Sequence, residues 1–111
     1  MGTHRQTIGR FGEDIAARFL QRRGATVLAR NVRVGRDEID LVVAIEGERI
    51  AVEVKTATGS DARPEENFDP AKGQRVRRAV GSLTPPVHRI DLVTVVLDEA
   101  GATVRWLPEA G

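Results

Sequence analysis

The sequence predicts a single α/β sandwich domain, a mixed central sheet flanked by helices in the order α-β-β-β-α-β-β. Three observations carry that expectation. The period of the apolar residues switches along the chain, from helical spacing over residues 7–23, to alternation over 38–55, and back to helical spacing after 69. The stretch "RIDLVTVVL" is a nearly continuous apolar run, as expected of a central strand buried on both faces. A chain of 111 residues, 41% hydrophobic and 30% charged, suits one folded core: it is too apolar for a disordered tail and too short for two domains.

The first element is a helix from Thr7 to Arg23, on which Ile8, Phe11, Ile15, Phe19 and Leu20 recur at helical spacing and which Gly24 stops. "ATVLARNVRV" follows as a strand, and "GRDE" turns it into a hairpin over residues 38–55. The segment "TATGSDARPEENF" lacks periodicity and reads as a long mobile loop. A second helix restarts at Asp69, an acidic N-cap followed by Pro70 at the first helical position. It carries Val76, Ala79, Val80 and Leu83 as a buried stripe, and "TPP" ends it. "RIDLVTVVL" is the central strand, and "DEAG" turns it back into "ATVRWL" at the sheet edge, where Trp106 reads as a packing residue.

The hairpin holds an anomaly. With Glu46-Gly47 as a two-residue turn, Ile45 faces Glu48, Val43 faces Ile50, Leu41 faces Val52 and Ile39 faces Val54. Ile39, Leu41, Val43 and Ile45 then share one face with Ile50, Val52 and Val54. The same register sets Asp40 opposite Glu53 and Glu38 opposite Lys55. Cross-strand Cβ atoms lie about 4.5–5.5 Å apart, so two carboxylates repel there unless a positive charge lies between them. Mg²⁺ or Mn²⁺ suits such a pair, because oxygen ligands and water satisfy both ions. Lys55 is informative in its own right: of the 17 basic residues all but Lys55 and Lys72 are arginines, and lysine, unlike arginine, can give up a proton to chemistry. Spacing alone fits an exposed ion-pair cluster as well as a metal site.

Other features bound the function. The formal net charge of +1 excludes a strongly basic or acidic chain without excluding a local patch. There are no cysteines, so a disulfide framework and a thiolate zinc site are both excluded. No run approaches the length of a membrane span and the N-terminus lacks a signal-peptide core, so a cytoplasmic protein that does not enter membranes is expected. Lys72, Gln74, Arg75 and Arg78 lie on the second helix away from its apolar stripe, and Arg33 and Arg36 lead into Asp40. Each set fits a phosphate-contacting surface or an ordinary solvated face. Glu13 lies on the flank of the first helix with Gly9, Ala16 and Leu20, where small residues permit close approach to the sheet; a solvated role fits it equally. His4 and His88 read as incidental.

"EID" followed after a hairpin by "EVK" resembles the D…ExK core of the restriction-endonuclease-like nucleases, which include archaeal Holliday-junction resolvases. The chain is more closely similar to the YraN-like family of small bacterial proteins through "GRFGEDIAARFLQRRG", "ARNVR", "EIDLV", "VEVKT", "DPAKGQRVRRAVGSL" and "RIDLVTV". It departs from that pattern in having "RDEID" where "GEID" is usual. The resemblance implies a restriction-endonuclease-like sandwich with Asp40 and Glu53 as ligands of Mg (or Mn), Lys55 positioning a water, and Glu13 facing the site. It implies a metal-dependent endonuclease acting on structured or branched DNA, a homodimer being natural for symmetric junctions. A nucleic-acid-binding or adaptor module that kept the fold without cutting is the alternative.

Overall fold

A computed structural model describes residues 3–81, 83, 85–87 and 89–110, so His88 and the Thr84 of the expected helix stop lie outside the described residues. The element order is the expected one: α1 (His4–Arg22), β1 (Thr26–Val34), β2 (Asp37–Ile45), β3 (Glu48–Thr58), α2 (Pro70–Val80), β4 (Arg89–Asp98) and β5 (Gly101–Leu107). The five strands lie in chain order in one sheet, with β3 and β4 parallel and every other neighbour antiparallel. Connection lengths explain the mixture. A two-residue turn can only reverse the chain, whereas the long return through α2 lays β4 alongside β3 in the same direction. This is the mixed sheet and element order expected of a restriction-endonuclease-like sandwich.

Two apolar clusters sandwich the sheet. On the α1 face, Ala16, Ala17 and Leu20 pack on Leu41, Val43, Ile50, Val52, Val93 and Val95. On the α2 face, Val76 and Val80 pack on Val34, Ile39, Val42, Ala51 and Ile90, with Ala79 and Leu83 alongside as expected. No helix among the described residues is long and apolar enough to cross a membrane.

Helix α1 starts earlier than the apolar pattern suggests, because Thr3 and Gln6 cap it reciprocally. The Gln6 N–H donates to Thr3 Oγ1 at 3.2 Å and the Thr3 N–H to Gln6 Oε1 at 2.8 Å. It ends as expected at Gly24, whose φ of 93° lets the Ala25 N–H reach back to the Leu20 carbonyl at 3.0 Å. The expected stripe holds in part: Leu20 is buried and Ile15 and Phe19 pack against the α1-face cluster, but Phe11 is 55% exposed, and Gly12, Ala16 and Ala17 are buried against the sheet. Helix and sheet lie close at Gly12: a Cβ built there would lie 1.8 Å from Thr56 Oγ1, whereas Gly9 faces open space. Gly12→Ala is therefore expected to destabilise the protein by about 2 kcal/mol through overpacking. At an exposed helical site the same change would stabilise by about 1 kcal/mol. Urea unfolding distinguishes the signs, and a stabilised G12A would refute the close packing.

The hairpin register holds from Ile45↔Glu48 through Val43↔Ile50 to Leu41↔Val52. The turn takes positive φ at both Glu46 (51°) and Gly47 (81°), the geometry that matches strand twist. Beyond Val52 the expected register is corrected. Instead of pairing Ile39 with Val54, Asp40 with Glu53 and Glu38 with Lys55, β2 leaves the ladder, and Asp40 Oδ2 accepts the Val54 N–H at 2.7 Å. A side-chain carboxylate has taken over a backbone carbonyl's role, and alternation breaks at that point. Ile39 joins Val42 on the α2 face while Leu41 faces α1.

The segment expected to be a long loop is also corrected. β3 continues to Thr58, its last residues pairing in parallel with β4 as Thr56↔Val95, Ala57↔Val96 and Thr58↔Leu97. A short 3-10 turn follows at Pro64–Asn67 with Pro64 buried. At the far edge, Trp106 packs against the α1-face cluster, and its indole N–H donates to Asp91 Oδ2 at 2.7 Å. Asp91 is fully buried and also accepts two bonds from Arg89 (2.8 and 3.0 Å) and the Glu109 N–H at 2.9 Å. Four donors satisfy a carboxylate that would otherwise be costly inside the sheet.

Candidate functional site

Where β2 and β3 part, an open cleft of about 500 Å³ forms, lined by His4, Glu13, Asp40, Glu53, Lys55 and Thr56 among others. Three chain segments meet there. Asp40 comes from β2, Glu53 and Lys55 from β3, and Glu13 from α1, brought down by the contact of Gly12 with Thr56. The structure thus brings together all four residues expected to do chemistry, although Asp40 and Glu53 are not a paired position of the ladder.

Each acid has a distinct environment. Burial, and after it the Glu53 charge, push the Asp40 carboxyl up from the ordinary aspartate range to about 7; the Glu13 charge adds to the rise, while the Val54 N–H and Lys72 oppose it. Glu13 is also raised, by burial first and then by the Glu38 charge, with Arg30 opposing. Asn31 bridges these two glutamates: with its amide nitrogen turned to them it donates to Glu13 Oε1 and Glu38 Oε1, both at 3.0 Å. Asn31 adopts a positive φ of 53°, a conformation that Asn tolerates better than most residues. Glu53 is held by cations instead. Lys72 Nζ lies 3.2 Å and Lys55 Nζ 3.5 Å from the same oxygen, Oε1, so the chain's only two lysines converge on one carboxylate.

The expected basic surface divides. Lys72 and Arg75 turn inward: Lys72 reaches Glu53, and Arg75 grips Asp37 through Nε and Nη2 at 2.8 and 3.0 Å. That fork holds the Asp37 carboxyl below the ordinary range. Gln74 and Arg78 are exposed on α2, as are Arg33 on β1 and Arg36 in the turn before β2. Among the described residues no three His, Asp or Glu side chains converge closely enough to hold an ion by themselves. The donor pair whose chemistry suits a hard cation is Asp40 with Glu53, two carboxylates at an open cleft with room for the waters such ions retain.

Sequence reasoning placed Lys72 among the phosphate-contacting residues and missed its contact with Glu53, and it missed Asn31 and Asp91. A signal existed for Lys72, since it shares with Lys55 a residue type otherwise absent from the chain. For Asn31 the only signal was an Asn within a strand pattern, and for Asp91 an acid within an apolar run.

The profile described as "Uncharacterised protein family UPF0102" matches residues 12–95. The chain belongs to that family. Among UPF0102 relatives, the protein from Solibacter usitatus (strain Ellin6076) is 41% identical over 108 residues, covering 89% of this chain and 81% of that one. The Streptomyces coelicolor UPF0102 protein SCO5602 is 44% identical over 110 residues, covering 90% and 84%. The resemblance to the YraN-like family is thereby borne out. Of solved structures, Pyrococcus furiosus SfsA in complex with Ca²⁺ is similar at 17% identity and a TM-score of 0.42, over 96% of this chain and 64% of that one.

Proposed function

We propose that this UPF0102 protein is a metal-dependent endonuclease that hydrolyses a phosphodiester in structured or branched DNA. The observation that carries the reading is the meeting of Asp40, Glu53 and Lys55 in one open cleft, where the sheet's ladder opens to expose them. Asp40 and Glu53 would hold Mg²⁺ or Mn²⁺; the Glu53 charge, which helps to raise the Asp40 carboxyl, is a repulsion that a cation between the two acids would relieve. The ion would supply a polarised phosphate oxygen and a more acidic water. Lys55, beside Glu53, would orient that water and, once it has given up its own proton, take the water's. Glu13 and Thr56 border the cleft, and Gln74, Arg78, Arg33 and Arg36 offer donors to the flanking backbone. Little surface remains for reading bases, which favours recognition by shape.

One observation favours the non-catalytic alternative: Glu53 is already neutralised by two ammonium groups. The experiment is a panel of linear, flapped and four-way-junction DNAs incubated with Mg²⁺, Mn²⁺ or EDTA. Cleavage only with metal is expected. Metal titration should also raise the melting temperature, because an ion bound by the native state alone stabilises it by mass action. Salt-dependent binding of the same DNAs, with neither cleavage nor a metal response, would hand the reading to an adaptor module.

A further inference from the structure

We infer that Lys72 is an exchangeable counter-ion of this site: its ammonium holds Glu53 while no divalent cation is bound, gives up the carboxylate to that cation, and then pairs with a phosphate of the nucleic acid. The inference rests on the metal reading of Asp40 and Glu53 above.

Charge balance leads to it. Two ammonium groups, those of Lys55 and Lys72, already face the single negative charge of Glu53. Both ammonium groups sit on Oε1 of Glu53, at 3.5 and 3.2 Å. A divalent cation on that carboxylate would meet two like charges at close range, and one of them must leave. The departing group is Lys72: the two side chains are equally exposed, at 31%, but Lys55 stands on β3 two residues from Glu53 in the same strand, whereas Lys72 reaches across from α2. Its departure would not undock the helix. One turn on, Arg75 fastens α2 to β2 through the two-point grip on Asp37, and Val76 and Val80 are buried against the sheet. The released ammonium would stand at the edge of the cleft, where an incoming phosphodiester supplies the negative charge it has lost. Arginine would be a poorer choice for such an exchange, because its planar fork favours a fixed two-point partner of the kind Arg75 has.

The test compares the wild type with Lys72→Gln and Lys72→Arg as full chains, each checked for folding by urea unfolding. Isothermal calorimetry with Mn²⁺ alone should show K72Q binding roughly tenfold tighter or more, since a repelling charge beside the ligand oxygen is gone. K72R, which keeps the charge, should bind as weakly as the wild type. Anisotropy with a duplex carrying phosphorothioate linkages, which slow hydrolysis, gives the second readout. In EDTA, K72Q and wild type should bind alike; in Mn²⁺, K72Q should bind more weakly, with a salt slope shallower by about one unit. Equal Mn²⁺ affinities in wild type and K72Q overturn the exchange and leave the metal reading standing. A DNA-binding deficit of the same size with and without Mn²⁺ overturns it too, since Lys72 would then be a constant phosphate contact. No binding heat from any of the three chains at millimolar Mn²⁺ removes the metal reading and the exchange with it.

Discussion

Replacing Asp40 by Asn is expected to abolish cleavage and, in the same protein, to raise metal-free stability at pH 8 by on the order of 3 kcal/mol. Both effects come from one carboxyl group. In the unfolded chain it titrates in the ordinary aspartate range near 3.8; in the folded protein burial and the charges of Glu53 and Glu13 raise it to about 7, against the opposition of Lys72 and the Val54 N–H. Because the folded pKa lies above the unfolded one, the native state binds the extra proton between those values, so stability falls as pH rises from about 4 to about 7 and levels off above. Asn stays neutral throughout and its side-chain oxygen can still accept the Val54 N–H. The stability difference between D40N and wild type should therefore open across that window and be smallest below it. Saturating Mg²⁺ should close the gap, since a bound cation favours the ionised carboxylate. Denaturant unfolding from pH 4 to 8, with and without metal, reads all of this out. A gap independent of pH would mean that Asp40 carries no such strain.

Much of this was readable in the chain, for identifiable reasons. The hairpin register followed from Gly47 and the alternation of Leu41, Val43, Ile50 and Val52, because a slip by one residue would expose every one of them. The N-cap at Asp69 and the stripe of Val76 and Val80 were likewise local patterns. What the sequence hid was non-local. β3 reaches Thr58 because β4, more than thirty residues away, pairs with it in parallel, and no hairpin signal reports such pairing. Phe11 looked like core and is exposed, while its neighbour Gly12 makes the tight contact with Thr56.

The site shows the same division. Asp40, Glu53 and Lys55 were visible as charges set into a strand pattern, yet their mutual geometry was misread. Extending an ideal ladder paired Asp40 with Glu53, whereas the Asp40 side chain ends the ladder by taking the Val54 N–H. Lys72 and Arg75 lay off the apolar stripe of α2 and so read as a phosphate-contacting or solvated face. Their partners, Glu53 and Asp37, are distant in sequence, and a helix pattern alone does not show which polar residues border the sheet. Asp91 was concealed by the apolar run around it; its four donors come from β4, from Trp106 on β5 and from the chain beyond.

Lys55→Arg separates the two roles open to the residue at the centre of the cleft. If Lys55 serves only to balance Glu53, whose Oε1 lies 3.5 Å from its Nζ, arginine keeps that balance and any cleavage should survive. If it orients the attacking water and takes its proton, arginine fails, because a planar and permanently protonated head replaces a compact ammonium that can ionise. The geometry favours the second role. Lys72 already approaches the same oxygen more closely, at 3.2 Å, so charge balance alone leaves a second lysine there without a purpose. The expected result for K55R is a metal response and DNA binding like the wild type's, with cleavage in Mn²⁺ slower by at least about a hundredfold, the lower end of what a general acid–base group contributes. Single-turnover cleavage of whichever DNA the wild type cuts best gives the rate, and calorimetry with Mn²⁺ checks that the metal site is intact. A K55R rate within a few-fold of the wild type's would return Lys55 to the role of a structural charge and move the search for the base to Glu13, whose raised carboxyl borders the same cleft.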